Sequence, residues 1–170
     1  MNKRILLIYN KEGIYRGLED IARINGLNAE FAYQPSFREA IEYAKSKRVN
    51  AVVTDLTDSN TGHPFHMVFH VLVNAVRRQG YVPIIGYPEE YDEKKVAIVV
   101  RQGIDAVVQR YGAENDHRLI DILSELLKNP ELYKERPLLE PKRLTIIPSS
   151  FNPDFRERML KTTWKKGMRR

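Results

Sequence analysis

Hydrophobic residues follow two alternating patterns along the chain. Short apolar runs rich in β-branched residues are typical of parallel strands that are covered on both faces. Between these runs, apolar residues recur every three or four positions, which is the spacing of an amphipathic helix. The runs predict five strands, at residues 5–9, 29–33, 51–55, 82–87 and 105–109. The helical spacing predicts five helices, from Ile14 to Ile24, after Ser36, from Pro64 or Phe65 to about Arg78, from Glu89 to Gln102, and from Asp116 to Lys128.

Cap and turn residues support these boundaries. Ser36 is a suitable N-cap for the second helix. The predicted buried side of that helix is formed by Phe37, Ala40, Ile41 and Ala44. Glycines at positions 26, 80 and 103 follow the first, third and fourth helices, where a residue in the left-handed region commonly ends a helix.

Strands that alternate with helices imply right-handed crossovers and a parallel sheet between two helical layers. The flavodoxin-like strand order 2-1-3-4-5 is the most economical, with its topological switch point between strands one and three. Asn10 and Asp55 would then lie at one crevice, at the carboxyl end of the sheet, where ligands and chemistry collect in open α/β folds. The sequence therefore predicts an α/β fold with a five-stranded parallel sheet, and it singles out Asp55.

Positive charge is concentrated at the C-terminal end. The chain has 170 residues and a net charge of +6. From Lys142 onward there are nine lysines and arginines and two acids, so this part carries +7 and the first 141 residues carry −1. We therefore predict a globular domain at residues 1–129 and a basic extension at residues 130–170.

Several classes of protein are disfavoured. The chain has no cysteine, which excludes disulfides, thiolate metal sites and a cysteine nucleophile, and fits a reducing compartment. The first apolar run is too short for a signal peptide, and no segment has the length of a membrane span. Neither a glycine-rich phosphate loop nor a Gly-x-Ser-x-Gly motif is present. The expectation is a cytoplasmic protein without a cofactor and without membrane contact.

Over roughly its first 130 residues, the chain resembles the receiver domain of response regulators, the CheY-like family. The resemblance rests on residues 5–8 as the first strand, 51–56 as the phosphoacceptor strand, 83–85 as the fourth strand, and 103–106 as the turn into the fifth. It implies a signalling domain that accepts a phosphoryl group on the aspartate of strand three. It also implies Mg²⁺ on an acidic pair after strand one, a hydroxyl residue at the end of strand four, and a lysine at the end of strand five.

The chain has the phosphoacceptor of the resembling family, Asp55, but it lacks the residues that act with it. Tyr9 and Asn10 stand where the acidic pair belongs, and Pro88 stands where the hydroxyl residue belongs. Arg110 replaces the lysine with a cation of different reach and geometry. Because Mg²⁺ prefers carboxylate oxygens, it should bind poorly here. The resemblance thus implies a degenerate pseudo-receiver that is not an enzyme, and a pair between Arg110 and Asp55 would lock it in one state.

Three histidines at the start of the third helix form a separate candidate site. His66 and His70 are four residues apart on one helical face, and His63 with Asp55 or Asp58 would complete a zinc site. No HExxH motif is present, however. We therefore predict a helix surface or a partner interface here, and no bound metal.

The basic extension has two interpretations. Its candidate binding residues are Arg156, Arg158, Lys161, Trp164, Lys165, Lys166, Arg169 and Arg170. They would bind nucleic acid through its phosphates, with stacking on Trp164. Alternatively, the extension packs on the domain or on a second subunit, with Leu144–Ile147 as an extra strand. The second interpretation is favoured because no DNA-binding module is recognisable.

The leading hypothesis is a non-catalytic pseudo-receiver that regulates or signals through protein–protein contacts, without phosphorylation. Its partner would be another protein or a second copy. In the resembling family, dimers commonly use the face of helix four, strand five and helix five, here about residues 89–128. The alternatives are a nucleic-acid-binding regulator that uses the basic tail, an atypical receiver phosphorylated at Asp55, and a metal-dependent activity at the histidines.

Overall fold

In the computed structural model, which describes residues 3–9, 13–56 and 65–141, strands and helices alternate along the chain. The strands are β1 (Lys3–Ile8), β2 (Ala29–Gln34), β3 (Ala51–Thr54), β4 (Ile84–Gly86), β5 (Ala106–Val108) and β6 (Leu138–Glu140). The helices are α1 (Gly13–Ile24), α2 (Phe37–Ser46), α3 (Phe65–Arg77), α4 (Glu93–Arg101) and α5 (Gly112–Lys128). Within these residues, no helix has the length and apolar character needed to cross a membrane.

The strands form one parallel sheet in the order β2-β1-β3-β4-β5-β6. This confirms the predicted α/β class and the order 2-1-3-4-5, and it adds a sixth strand at the β5 edge. The order reverses direction between β1 and β3, which places the topological switch point there. The carboxyl ends of the central strands therefore open into the predicted crevice.

Helices cover both faces of the sheet, which explains why the strand sequences are continuously apolar. Successive side chains of a strand point to opposite faces, so β1 contributes to two separate cores. Leu6 and Ile8 pack with α2, α3 and α4, whereas Ile5 and Leu7 pack with α1 and α5. None of these four side chains is more than 3% exposed.

Local sequence signals set some helix starts and fail to set others. Ser36 caps α2 as predicted, and its Oγ accepts a hydrogen bond from the Glu39 backbone N–H at 3.3 Å. Helix α4 begins four residues later than predicted, because the Asp92 side chain accepts hydrogen bonds from the backbone N–H groups at 94 and 95 and caps the helix there. Helix α5 begins earlier than predicted, after Tyr111, which makes no side-chain cap hydrogen bond and so gives no start signal.

The sheet has one strand more than predicted, since β6 pairs in parallel with β5. The Leu138 N–H donates to the Asp105 carbonyl, and the Gln109 N–H donates to the Glu140 carbonyl, both at 3.0 Å. The Arg118 guanidinium holds the Glu140 carboxylate through both oxygens. A three-residue strand between two prolines is too short for a periodic signal, so only the tertiary structure identifies it.

Strand β6 lies beyond residue 129, where the sequence places the domain boundary. The candidate strand Leu144–Ile147 and the rest of the chain from residue 142 lie outside the described residues. The division into a domain and an extension therefore stays a prediction.

Candidate functional site

Four strands deliver polar residues to the carboxyl end of the sheet. Tyr9 follows β1, Asp55 follows β3, Tyr87 and Pro88 follow β4, and Arg110 lies two residues after β5. Asp55 is half-buried, and its backbone N–H donates to the Ile8 carbonyl at 3.1 Å. The structure thus brings together the predicted positions 9, 55, 88 and 110, while Asn10 lies outside the described residues.

Tyr9 is the group that most changes the chemistry of this crevice. Its side chain is buried, and its hydroxyl donates a hydrogen bond to the Tyr87 carbonyl at 2.6 Å. Burial raises the pKa of the Tyr9 phenol well above its ordinary value, and the negative charge of Asp55 raises it further. The phenol therefore stays protonated and neutral. The sequence identified the position, and the structure adds the hydrogen bond.

Tyr87 forms a second buried phenol, which the sequence analysis missed. Its hydroxyl donates to Oδ1 of Asp116, a carboxylate that α5 brings to the crevice. Burial raises the pKa of Tyr87, and the hydrogen bond to Asp116 raises it further. Residues 87 and 116 are far apart in sequence, so no local pattern indicates their contact.

Arg110 ties two loops together. Its Nη2 donates to Oε1 of Glu89 at 2.8 Å, and its backbone N–H donates to the Pro88 carbonyl at 2.7 Å. The Gln109 side-chain amide donates to the Glu89 carbonyl at 3.0 Å. The ion pair that the structure gives Arg110 is therefore with Glu89, whereas the sequence raised a pair with Asp55. These contacts fix the β4–α4 loop against the end of β5.

Among the described residues of this crevice, Asp55 offers a carboxylate, whereas the carboxylates of Asp116 and Glu89 already accept hydrogen bonds from Tyr87 and Arg110, so the donor set fits a magnesium ion poorly. Tyr9 is neutral, and its hydroxyl is committed to a backbone carbonyl. Pro88 has no side-chain oxygen, and Arg110 is a cation. A hard divalent ion needs several oxygen ligands and prefers carboxylates. Among the residues that the structure describes, no group of three or more histidines, cysteines and acids could hold a metal ion.

The histidines of α3 lie on its exposed face. The His70 ring nitrogen Nε2 is 3.0 Å from the Asn74 side-chain nitrogen, and the His66 carbonyl accepts a hydrogen bond from Gln102. Both positions agree with the predicted helix surface. His63 lies outside the described residues, as do all eight candidate binding residues of the basic extension.

A second polar cluster, also missed from the sequence, lies at the amino end of the sheet. Asp105 is 1% exposed, and Oδ2 accepts hydrogen bonds from Arg77 at 2.9 Å and from the Ile84 N–H at 2.7 Å. Oδ1 accepts a hydrogen bond from the Tyr81 hydroxyl. Burial raises the pKa of Asp105, while these donors act in the opposite direction. The Arg77 guanidinium also stacks 3.8 Å from the centre of the Tyr81 ring.

The parallel order, the crossovers and the crevice define the receiver fold of response regulators. The chain is similar to a CheY-like receiver domain protein from Methanospirillum hungatei JF-1, with a TM-score of 0.64 and 16% identity over 77% of this chain and 98% of that one. It is also similar to the receiver domain of a putative LuxO repressor protein from Vibrio parahaemolyticus, with a TM-score of 0.64 and 14% identity over 78% and 95% of the two chains. For the non-phosphorylated receiver domain of the stress response regulator RcsB from Escherichia coli, the TM-score is 0.60 and the identity is 13%, over 84% and 100%.

At these identities, the likeness establishes the fold alone. No protein-family model matches the sequence, and no curated protein matches it. The activity has to be argued from the residues of the crevice.

Proposed function

We propose that this protein is a regulatory pseudo-receiver, which acts through protein–protein contacts and does not run a phosphorylation cycle or catalyse a reaction. The observation that carries the proposal is Tyr9. A buried, protonated phenol that donates to the Tyr87 carbonyl occupies the position where the receiver resemblance implies a metal-binding acid.

The chemistry of phosphoryl transfer supports this proposal. Transfer to a carboxylate depends on neutralising the charge that develops on the phosphoryl oxygens, and Mg²⁺ supplies this in the resembling family. With a phenol at position 9, the metal loses a carboxylate ligand. With Pro88, a phosphoryl group on Asp55 loses the side-chain hydroxyl that would contact it.

The loop contacts point the same way. A domain that switches has to exchange between two arrangements. Here the backbone of Arg110, its guanidinium and the Gln109 amide all hold residues 88 and 89. The structure of this loop is thus set by contacts within the domain, which favours a fixed binding surface over a phosphorylation-driven switch.

Incubation with Mg²⁺ and acetyl phosphate, followed by intact mass measurement, tests the proposal. We expect no phosphoryl adduct on the wild-type chain, under conditions in which an active receiver is modified. Asp55→Asn is the matched control, because it removes the acceptor and keeps the shape of the side chain. An adduct on the wild type that is missing from Asp55→Asn would overturn the proposal in favour of an atypical receiver.

The partner surface that we propose is formed by α5 and β6. Strand β6 covers the outer edge of β5, so a partner approaching this side meets β6 first. Three large apolar residues in this part of the chain are each more than 40% exposed. Tyr111 precedes α5, Leu132 lies between α5 and β6, and Leu139 is in β6. A second copy or another protein would cover them. Light scattering across a concentration series separates these cases, since only self-association raises the mass.

A nucleic-acid-binding regulator is the second candidate function. It is favoured by the charge of +7 on the chain from residue 142 onward. Such binding would fall steeply with salt, because each neutralised phosphate releases counterions. The double variant Lys165→Gln, Lys166→Gln lowers this charge without shortening the chain, so it should bind nucleic acid more weakly than the wild type.

A further inference from the structure

A basic groove runs between the C-terminal ends of α2 and α3. A cavity of about 580 Å³ lies there, and Lys45, Lys47, Arg48 and Arg78 line it together with Gln79, two alanines and a serine. No acidic residue is among the lining residues. The groove lies at the amino end of the sheet, opposite the Asp55 crevice.

Three of the four cations in this groove form no ion pair with the described residues. Lys45 pairs with Glu42 at 2.6 Å, whereas Lys47, Arg48 and Arg78 are exposed and have no ion-pair partner among the described residues. The helix dipoles account for part of this arrangement, because positions 47 and 78 directly follow the last residues of α2 and α3. They do not account for Arg48, which lies beyond the helix end.

Gln79 makes the groove rigid. Its side-chain nitrogen donates to the carbonyls of Ala44 and Lys47, and its side-chain oxygen accepts from the Val49 N–H at 2.8 Å. The loop that carries Lys47 and Arg48 is therefore fixed to the end of α3. The backbone that carries these charges is held in place before any ligand arrives, which lowers the entropic cost of binding.

The charged surface continues into a second cavity of about 260 Å³, which shares Arg48 and Gln79 with the first. Lys3 lies on its wall, and no acidic residue lines it. The only large apolar side chains there are Val49, Val82 and Leu127, and the Tyr81 ring is already covered by Arg77 and Lys134. Together, the two cavities offer a row of cations and few contacts for apolar side chains of a ligand.

Because the two cavities form a continuous row of cations, we propose that the groove binds the phosphates of a single-stranded nucleic acid without sequence preference. The cations line a concave surface, which a flexible strand can follow more readily than a rigid duplex. No exposed aromatic ring is available among the lining residues for base stacking, so contacts to phosphates would dominate. This inference is independent of the proposed pseudo-receiver role, which concerns the opposite end of the sheet.

Binding of a fluorescent single-stranded oligonucleotide by the full chain, measured across a salt series, tests the proposal. The groove variant is Arg48→Gln with Arg78→Gln. The matched control is Arg38→Gln with Lys94→Gln, which removes the same charge from exposed positions outside the groove. Each phosphate contact contributes about 0.7 to the salt slope for a single strand, so the groove variant should lose about 1.4 of it. Between about 50 and 200 mM salt, the wild type should then lose about sevenfold more affinity than the groove variant.

Three results would overturn the proposal. The first is an equal loss in the groove variant and its control, which means that net charge alone drives binding. The second is unchanged binding in the groove variant together with complete loss in the Lys165→Gln, Lys166→Gln variant, which assigns binding to the tail. The third is tighter binding of a duplex, or of inorganic polyphosphate with no binding of the oligonucleotide, which excludes the single strand as ligand. Unfolding curves of all variants show whether each is folded at the assay temperature.

Discussion

The two ends of the sheet bury opposite kinds of polar group. At the amino end, a single carboxylate, Asp105, is buried with donors on both oxygens. At the carboxyl end, the buried groups are the phenols of Tyr9 and Tyr87, and the carboxylates of Asp55 and Asp116 are half-buried. A buried carboxylate with a full set of donors holds a fold together, whereas Asp55 is only half-buried. Asp55, at the switch point, should therefore contribute less to the stability of the fold than Asp105 does.

Replacing each aspartate with alanine should lower the free energy of unfolding by very different amounts. Asp105→Ala removes the acceptor of Arg77, Tyr81 and the Ile84 N–H, and leaves these donors unsatisfied. Breaking a buried charge pair in this way costs about 3–5 kcal/mol of the free energy of unfolding. Asp55→Ala should cost about 1 kcal/mol, because its position is half-buried. Urea denaturation of both variants measures the difference, and equal costs would remove the distinction between the two ends.

The next largest expected effect is a loss of thermal stability at alkaline pH. Tyr9, Tyr81 and Tyr87 all have raised pKa values, chiefly because of burial, so the folded state holds their protons more tightly than the unfolded state. The stability that this contributes is fully present below the unfolded pKa of about 10 and is lost as pH rises through the folded pKa. For Tyr81 the folded pKa is about 12. We therefore expect the melting temperature to fall steadily above pH 10.

Single substitutions assign this alkaline loss to one end or the other. Tyr81→Phe should remove the part that arises at the amino end, and the part that arises from Tyr9 and Tyr87 should remain. The phenolate absorbance, followed with the melting temperature, shows which tyrosines ionise before unfolding. A melting temperature that stays flat to pH 12 would contradict the raised pKa values of these three phenols.

The smallest effect concerns the ion pair at the carboxyl end. The Arg110–Glu89 pair has side chains that are 26% and 51% exposed, whereas Arg77 and Asp105 are 21% and 1% exposed. Exposed pairs contribute about 0–1 kcal/mol, so Glu89→Gln should change the free energy of unfolding by no more than that. Adding salt should reduce even this difference. A loss comparable to that of Asp105→Ala would mean that the β4–α4 loop is a major element of stability.

The sequence was sufficient for five of the six strands and for the positions that meet at the crevice. Continuous apolar runs gave the five strands in their order, and Ser36 marked the start of α2, because these signals are local and periodic. Tyr9 and Arg110 were identified through their places after strands one and five. In each of these cases, the information lies within a few residues of the position it predicts.

The remaining features depend on contacts between distant parts of the chain. Asp105 reads in sequence as the start of a strand, and its donors come from the end of α3 and the approach to β4. The link from Tyr87 to Asp116 joins a strand end to a helix. Strand β6 has three residues and owes its existence to the free edge of β5 and to Arg118. No local pattern encodes such contacts.

The direction of β6 has a consequence for how the rest of the chain is tethered. Strand β6 runs parallel to β5 and ends beside Gln109. The chain beyond Pro141 is therefore attached at the carboxyl end of the sheet, where Asp55 lies. An antiparallel strand would have attached it beside the basic groove. The six residues of β1 span about 20 Å from the amino end to the carboxyl end of the sheet. If the groove binds a single strand as proposed, a ligand that also reaches the attachment point has to span at least this distance, and a shorter one gains no avidity from the second contact.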